Sequence, residues 1–217
     1  MWPLRPSSMV SSITRAVEDI VNDNKLKISQ GLEALRFILE KGYESPNIII
    51  GGDSAGANLA LSVISVILHS LEGIQPLRLN RPLAGLLLIS PWVSFSIESH
   101  SFVENANRDV IPEEIVNQLR GAYVGPGDEN NFSEPIQADV SWWRDIPVKS
   151  ILNIYGEAEC LRDHIVQIGE KLAKAGNHVA NVECPSHVHI DCILDAQAGM
   201  DAGPMSTRIW EWLCSVM

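Results

Sequence analysis

The sequence is short of positive charge: 16 Lys and Arg stand against 27 Asp and Glu, for a formal net charge of −11. Nucleic acids and anionic membrane surfaces are gripped by basic patches, so this balance argues against both as partners. Cysteine is also sparse. Cys160, Cys184, Cys192 and Cys214 fall late in the chain without a C-x-x-C pair. No disulfide framework is expected, and reduced thiols in the cytoplasm are. No apolar run is long enough to cross a bilayer; the longest, residues 59–68, carries two serines. The opening residues MWPLRPSS lack the apolar core of a signal peptide. Repeats and low-complexity tracts are absent. The terminal Cys214-Ser215-Val216-Met217 fits C-a-a-X loosely, but the cysteine falls on an expected helix with Trp210, Trp212 and Leu213.

What is present is a core-forming pattern. The chain has 217 residues, 46% of them apolar, which suffices for one globular domain over 1–217. Val10, Ile13, Val17, Ile20 and Val21 recur at helical spacing, as do Ile28, Leu32, Leu35, Ile38 and Leu39 before Gly42. Residues 47–51 read as a buried strand and 83–90 (LAGLLLIS) as a second, covered on both faces. Residues 97–146 turn polar and Asn-rich, with one helix expected over 112–123 and a Gly-Pro-Gly turn at 125–127. We read this stretch as a lid-like excursion off the sheet. Strand 151–155, helix 161–175 closed by Gly176, strand 178–182 and a terminal helix over 206–213 follow. Strands alternating with helices imply an α/β fold with a mostly parallel sheet, whose sites lie beyond the carboxyl ends of the strands.

The first chemical signal is Gly52-Asp53-Ser54-Ala55-Gly56, a G-x-S-x-G between an expected strand and an expected helix. That is the context of a nucleophile elbow, where a sharp turn lifts a serine hydroxyl out of the sheet beside free helix N–H groups. Gly52 and Gly56 are expected to be small so that strand and helix can pass closely. A phosphate-cradling turn is the competing reading, but no Lys follows as in G-x-x-x-x-G-K-[ST].

A serine nucleophile needs a base, and the base an orienting acid. After strand 151–155 come Glu157, Glu159 and Asp163; after strand 178–182 come His187 and His189. The order Ser, acid, His is the one hydrolases of this class use. The acids would also suit a helix N-terminus, and the histidines a solvated loop. Cys184, His187, His189, Asp191 and Cys192 could ligate a metal, but no second ligand cluster supports one. No metal or cofactor is expected.

These motifs resemble the hormone-sensitive-lipase-like branch of the α/β-hydrolases (alpha/beta hydrolase fold-3), and within it fungal-type esterases. The resemblance runs from about residue 27 to 194. It is carried by IIIGGDSAGANLAL at 48–61, PLAGLLLISPWVSF at 82–95, SWW at 141–143, GEAECLRDHI at 156–165 and HVHIDCIL at 187–194. It implies Ser54 as nucleophile, His189 as base, Glu159 as acid with Asp163 as the alternative, and the Ala55 N–H as an oxyanion donor. It implies a small or medium ester as substrate, in a pocket shaped by Trp92 and the 97–146 excursion. The chain departs from the branch: Glu159 stands where the branch has Asp, and residues 1–53 hold no H-G-G-G-type segment, which supplies the other oxyanion N–H groups. Residues 1–26 do not match the branch. The expectation is a partial α/β-hydrolase fold lacking its N-terminal strands, truncated, impaired in activity or merely binding. Its exposed sheet edge could pair copies into a homo-oligomer.

Overall fold

A computed structural model describes residues 24–124 and 129–217. The expected helix around Val10–Val21 and the turn at 125–127 lie outside these residues.

Four strands form one sheet in the order β1-β2-β3-β4: β1 (Ile49–Asp53), β2 (Gly85–Ile89), β3 (Ile151–Gly156) and β4 (Val179–Cys184). All three pairings are parallel. Helices supply the crossovers: α1 (Asn24–Glu40) precedes β1, α2 (Ala55–Leu68) follows it, α3 (His100–Asn105) and α4 (Glu113–Tyr123) lie between β2 and β3, and α5 (Arg162–Lys174) joins β3 to β4. Two more, α6 (Asp191–Gln197) and α7 (Pro204–Val216), close the chain. Among the described residues this is the α/β-hydrolase architecture without its N-terminal strands.

The continuous apolar runs follow from cover on both faces. Leu86, Leu88 and Ile151 pack with Leu61, Ile64, Ile168 and Leu172 of α2 and α5. Leu87, Ile89, Leu152 and Ile154 point the other way, toward Met205 and Trp212 of α7. Each face takes alternate residues, so both parities must be apolar. Every residue of β3 is buried. Helix α2 is apolar all round because the sheet lies on one side and α1 on the other. Its close approach to α1 falls at Gly31, where a Cβ would come within 2.8 Å of Val63 Cγ2.

The expectation of a buried first strand is corrected. All five residues of β1 are half-exposed, because its sole strand neighbour among the described residues is β2. The Ser54 N–H donates to the Ile89 carbonyl. Alternation along the strand then puts the N–H and C=O groups of Ile49, Gly51 and Asp53 on the free edge.

The excursion also differs in detail. Helix α3 was not expected, nor were the short 3-10 turns Pro135–Gln137 and Val140–Trp143. Trp92, Phe95, Phe102, Tyr123, Val124, Leu161 and Ile165 build a second core beneath it. Two lysines fasten its ends: Lys27 Nζ donates to the Tyr123 carbonyl (2.8 Å) and Lys171 Nζ to that of Ala138 (2.9 Å).

Candidate active site

Ser54 stands at the junction of β1 and α2 with φ 49° and ψ −117°. A serine in the positive-φ region is strained, and strain of this kind marks the elbow. Gly52 makes the turn feasible, since a Cβ there would sit 2.4 Å from the Gly56 carbonyl carbon. The matching expectation for Gly56 is corrected: a Cβ at Gly56 meets nothing within 4 Å. The close approach is between the side-chain position of Gly52 and the backbone of Gly56.

The serine hydroxyl lies 2.9 Å from His189 Nε2. His189 Nδ1 lies 3.0 Å from Glu159 Oε2. An ionised carboxylate only accepts, so the ring proton belongs on Nδ1 and Nε2 is left to accept from Ser54. His189 and Glu159 are 2% and 0% exposed. The other Glu159 oxygen accepts from the Ser90 hydroxyl (2.6 Å) and the Gly156 N–H (2.5 Å). Burial pushes the Glu159 carboxyl above its ordinary value, while the His189 hydrogen bond and charge pull against that.

The loops that carry Glu159 and His189 are bound together. Glu157 N–H donates to the Cys184 carbonyl and Ala158 N–H to that of His187, both at 2.9 Å. Ser186 N–H donates to Glu157 Oε2. A Cβ on Gly156 would lie 2.1 Å from the His187 oxygen, so only glycine permits this contact. Ser186 and Ile190, at φ 62° and 51°, bend the base loop on either side of His189.

Asp163 is elsewhere. Its carboxylate accepts from the Ser101 N–H (2.9 Å) and from Arg162, tying α5 to α3. His187 turns toward the Pro185 carbonyl. Trp92 holds the elbow through its backbone: its N–H donates to the Ser54 carbonyl (3.1 Å) and its carbonyl accepts from Asn58 Nδ2 (2.7 Å). The ring is 3% exposed, packed on Phe95 and Tyr123. Ala55 opens α2, and N–H groups of a first helical turn have no intrahelical acceptor. Among the described residues no group of three His, Cys, Asp or Glu side chains could hold a metal ion. Cys184 and Cys192 are buried thiols, pushed up to about 11 and about 12 by desolvation.

Sequence reasoning missed Ser90, Asn58 and Asp109. Ser90 closes an apolar strand at the carboxyl end where such sites gather, which is a usable signal. Asn58 is a buried polar residue inside an apolar helix, whose Oδ1 accepts from Tyr123 (2.8 Å). Asp109 has no local signal at all.

Residues 16–192 match the alpha/beta hydrolase fold family (Abhydrolase_3). The chain belongs to that family. It is 24% identical over 166 residues to an acetyl-hydrolase of Streptomyces hygroscopicus, an alignment covering 75% of this chain and 51% of the relative. It is 35% identical over 74 residues to an esterase of Acinetobacter venetianus, covering 34% of this chain and 22% of that protein. Among solved structures it resembles EstE7, a hormone-sensitive-lipase homologue from a metagenome library (TM-score 0.71, 22% identity, 88% of this chain and 60% of that one). It also resembles an esterase of the bacterial hormone-sensitive lipase family (TM-score 0.68, 22% identity, 84% and 56%). The likeness to these structures establishes the fold. The chain spans about half the length of the first of these relatives.

Proposed function

We propose that this chain is a serine carboxylic-ester hydrolase acting through an acyl-enzyme. The observation that carries the reading is the line Ser54–His189–Glu159, with contacts of 2.9 and 3.0 Å. His189 Nε2 takes the Ser54 proton as Oγ attacks the ester carbonyl carbon. Glu159 holds the imidazolium, and the Ala55 N–H donates to the oxyanion. The tetrahedral adduct expels the alcohol, which leaves with the proton from His189. Water, deprotonated by the same histidine, then cleaves the acyl-serine. The substrate is a small or medium ester; lipid, sterol and secondary-metabolite esters are the classes to test. In this reading the acyl pocket is shaped by Trp92 and the 97–146 excursion, which pack on one another.

The related acetyl-hydrolase and esterase support ester chemistry. The assignment to the fungal-type branch rests on the quoted motifs, and cytoplasmic residence on four free cysteines. The edge of β1, which has no further strand beside it among the described residues, supports self-association as part of this reading.

A second reading has its own support. Among the described residues the evident oxyanion donor is the Ala55 N–H at the opening of α2, and loss of one such donor costs about 10²–10³ in rate. A binding protein or impaired homologue would show the same fold. A fluorophosphonate probe separates the two. Labelling of the folded chain that disappears in Ser54→Ala supports the hydrolase; a folded chain that takes no label sinks it.

A further inference from the structure

We infer that Asp109 is a positioning residue of this site, a carboxylate that holds the loop of His189 and the loop of Glu159 in one register. The inference rests on reading Ser54, His189 and Glu159 as a proton relay. Asp109 follows α3, and its own N–H donates to the Asn105 carbonyl at 3.0 Å. Oδ1 accepts the backbone N–H of His189 at 3.0 Å and that of Val110 at 2.8 Å. Oδ2 accepts the backbone N–H of Cys160, the residue after Glu159, at 2.7 Å. One carboxylate therefore divides its two oxygens between the base position and the neighbour of the acid position.

The neighbouring groups define what Asp109 adds. Asn105 Nδ2 reaches the Glu159 carbonyl (2.9 Å) and the Glu157 carbonyl (3.3 Å), so it steadies the acid loop alone. Ser101 Oγ donates to the Cys160 carbonyl at 2.6 Å, on that same loop. Ser90 joins the Glu159 side chain to the Ile190 N–H (3.1 Å) from the strand side. Asp109 does so from the opposite, excursion side, and through backbone at both ends. The Cys160 thiol is pushed up to about 12, first by burial and then by the charge of Asp109 beside it. Hydrogen bonds to a charged acceptor are the stronger kind. The relay needs them because its 3.0 Å contact leaves only a few tenths of an ångström before the bond weakens.

The test compares the full chain with Asp109→Asn and Asp109→Ala. The primary readout is the downfield proton on His189 Nδ1, assigned by its loss in His189→Gln. The second is the rate of fluorophosphonate labelling at Ser54, with thermal melts to report folding. In folded Asp109→Ala the downfield proton broadens away and labelling slows about 10²-fold, the scale of an ångström-level misplacement. Asp109→Asn keeps one acceptor oxygen and loses less. A folded variant with lower melting temperature but unchanged proton and labelling overturns the inference, since its role would then be structural. Failure of both variants to fold overturns it too, as does a parent chain without the downfield proton. A parent that takes no label yet loses its proton in the variants supports Asp109 and refutes the hydrolase.

Discussion

The two sides of Ser54 are built to different standards. Toward β2, β3 and β4 the serine meets His189, which in turn meets Glu159; both are buried and backed by Ser90, the Gly156 N–H and Asp109. Toward the free side of β1 the described residues offer an open strand edge, half-exposed along its length. One side is a closed network in which each polar group has a partner, so it holds geometry at low dielectric. The other side offers the Ala55 N–H at the opening of α2 and, among the described residues, no further strand. Two tasks are thus done by different parts of the chain: the strand ends and their loops hold a line of hydrogen-bonded side chains, and β1 holds the open edge of the sheet. The Ser54–His189–Glu159 line is assembled by strand ends and the loops that follow them.

The largest effect tests the closed side. Glu159→Gln should lower esterase or labelling rates about 10⁴-fold, as expected when the orienting acid of a triad is removed. Asp163→Asn, which disturbs an α3–α5 tie, should change them by less than about tenfold. The reverse order, measured with the same probe, would mean that Asp163 is the acid.

The elbow itself divides into two unequal glycines. Gly52→Ala drives a Cβ into the backbone of Gly56 and should cost at least about 1–3 kcal/mol, the range for overpacking, along with most labelling. Gly56→Ala enters open space and should leave both nearly unchanged. Equal losses in denaturant melts and labelling would show that the two positions are equally constrained.

The open side should declare itself in solution. Sedimentation velocity across a wide concentration range should reveal self-association through β1. A monodisperse monomer at every concentration would show that the edge is protected by other means.

The smallest effect concerns pH. Burial raises the Glu159 carboxyl in the folded state, so folding favours its protonated form. That contribution to stability is complete below the unfolded carboxyl value, about 4.3, and is lost as pH rises through the raised folded value. Glu159→Gln lacks the ionisation, so thermal melts should show the variant gaining on the parent as pH rises from acid to neutral. A constant gap would mean that the His189 bond fully offsets burial.

The parallel α/β scheme is legible in the amino-acid sequence, as is the chain order of Ser54, Glu159 and His189 beyond three strand ends. Apolar runs are continuous where strands are covered on both faces, and G-x-S-x-G has few uses between a strand and a helix. Those signals are local, so they survive in one dimension. The folded chain alone shows that Glu159 rather than Asp163 meets His189, that β1 is an edge among the described residues, and that a Cβ at Gly56 would enter open space. It alone brought Ser90 and Asp109 to the relay. Those facts depend on which loops meet across the sheet: Asp109 lies 51 and 80 residues in sequence from its partners Cys160 and His189. No periodicity encodes a contact at that separation; it follows from parallel strands delivering their carboxyl ends to one side of the sheet.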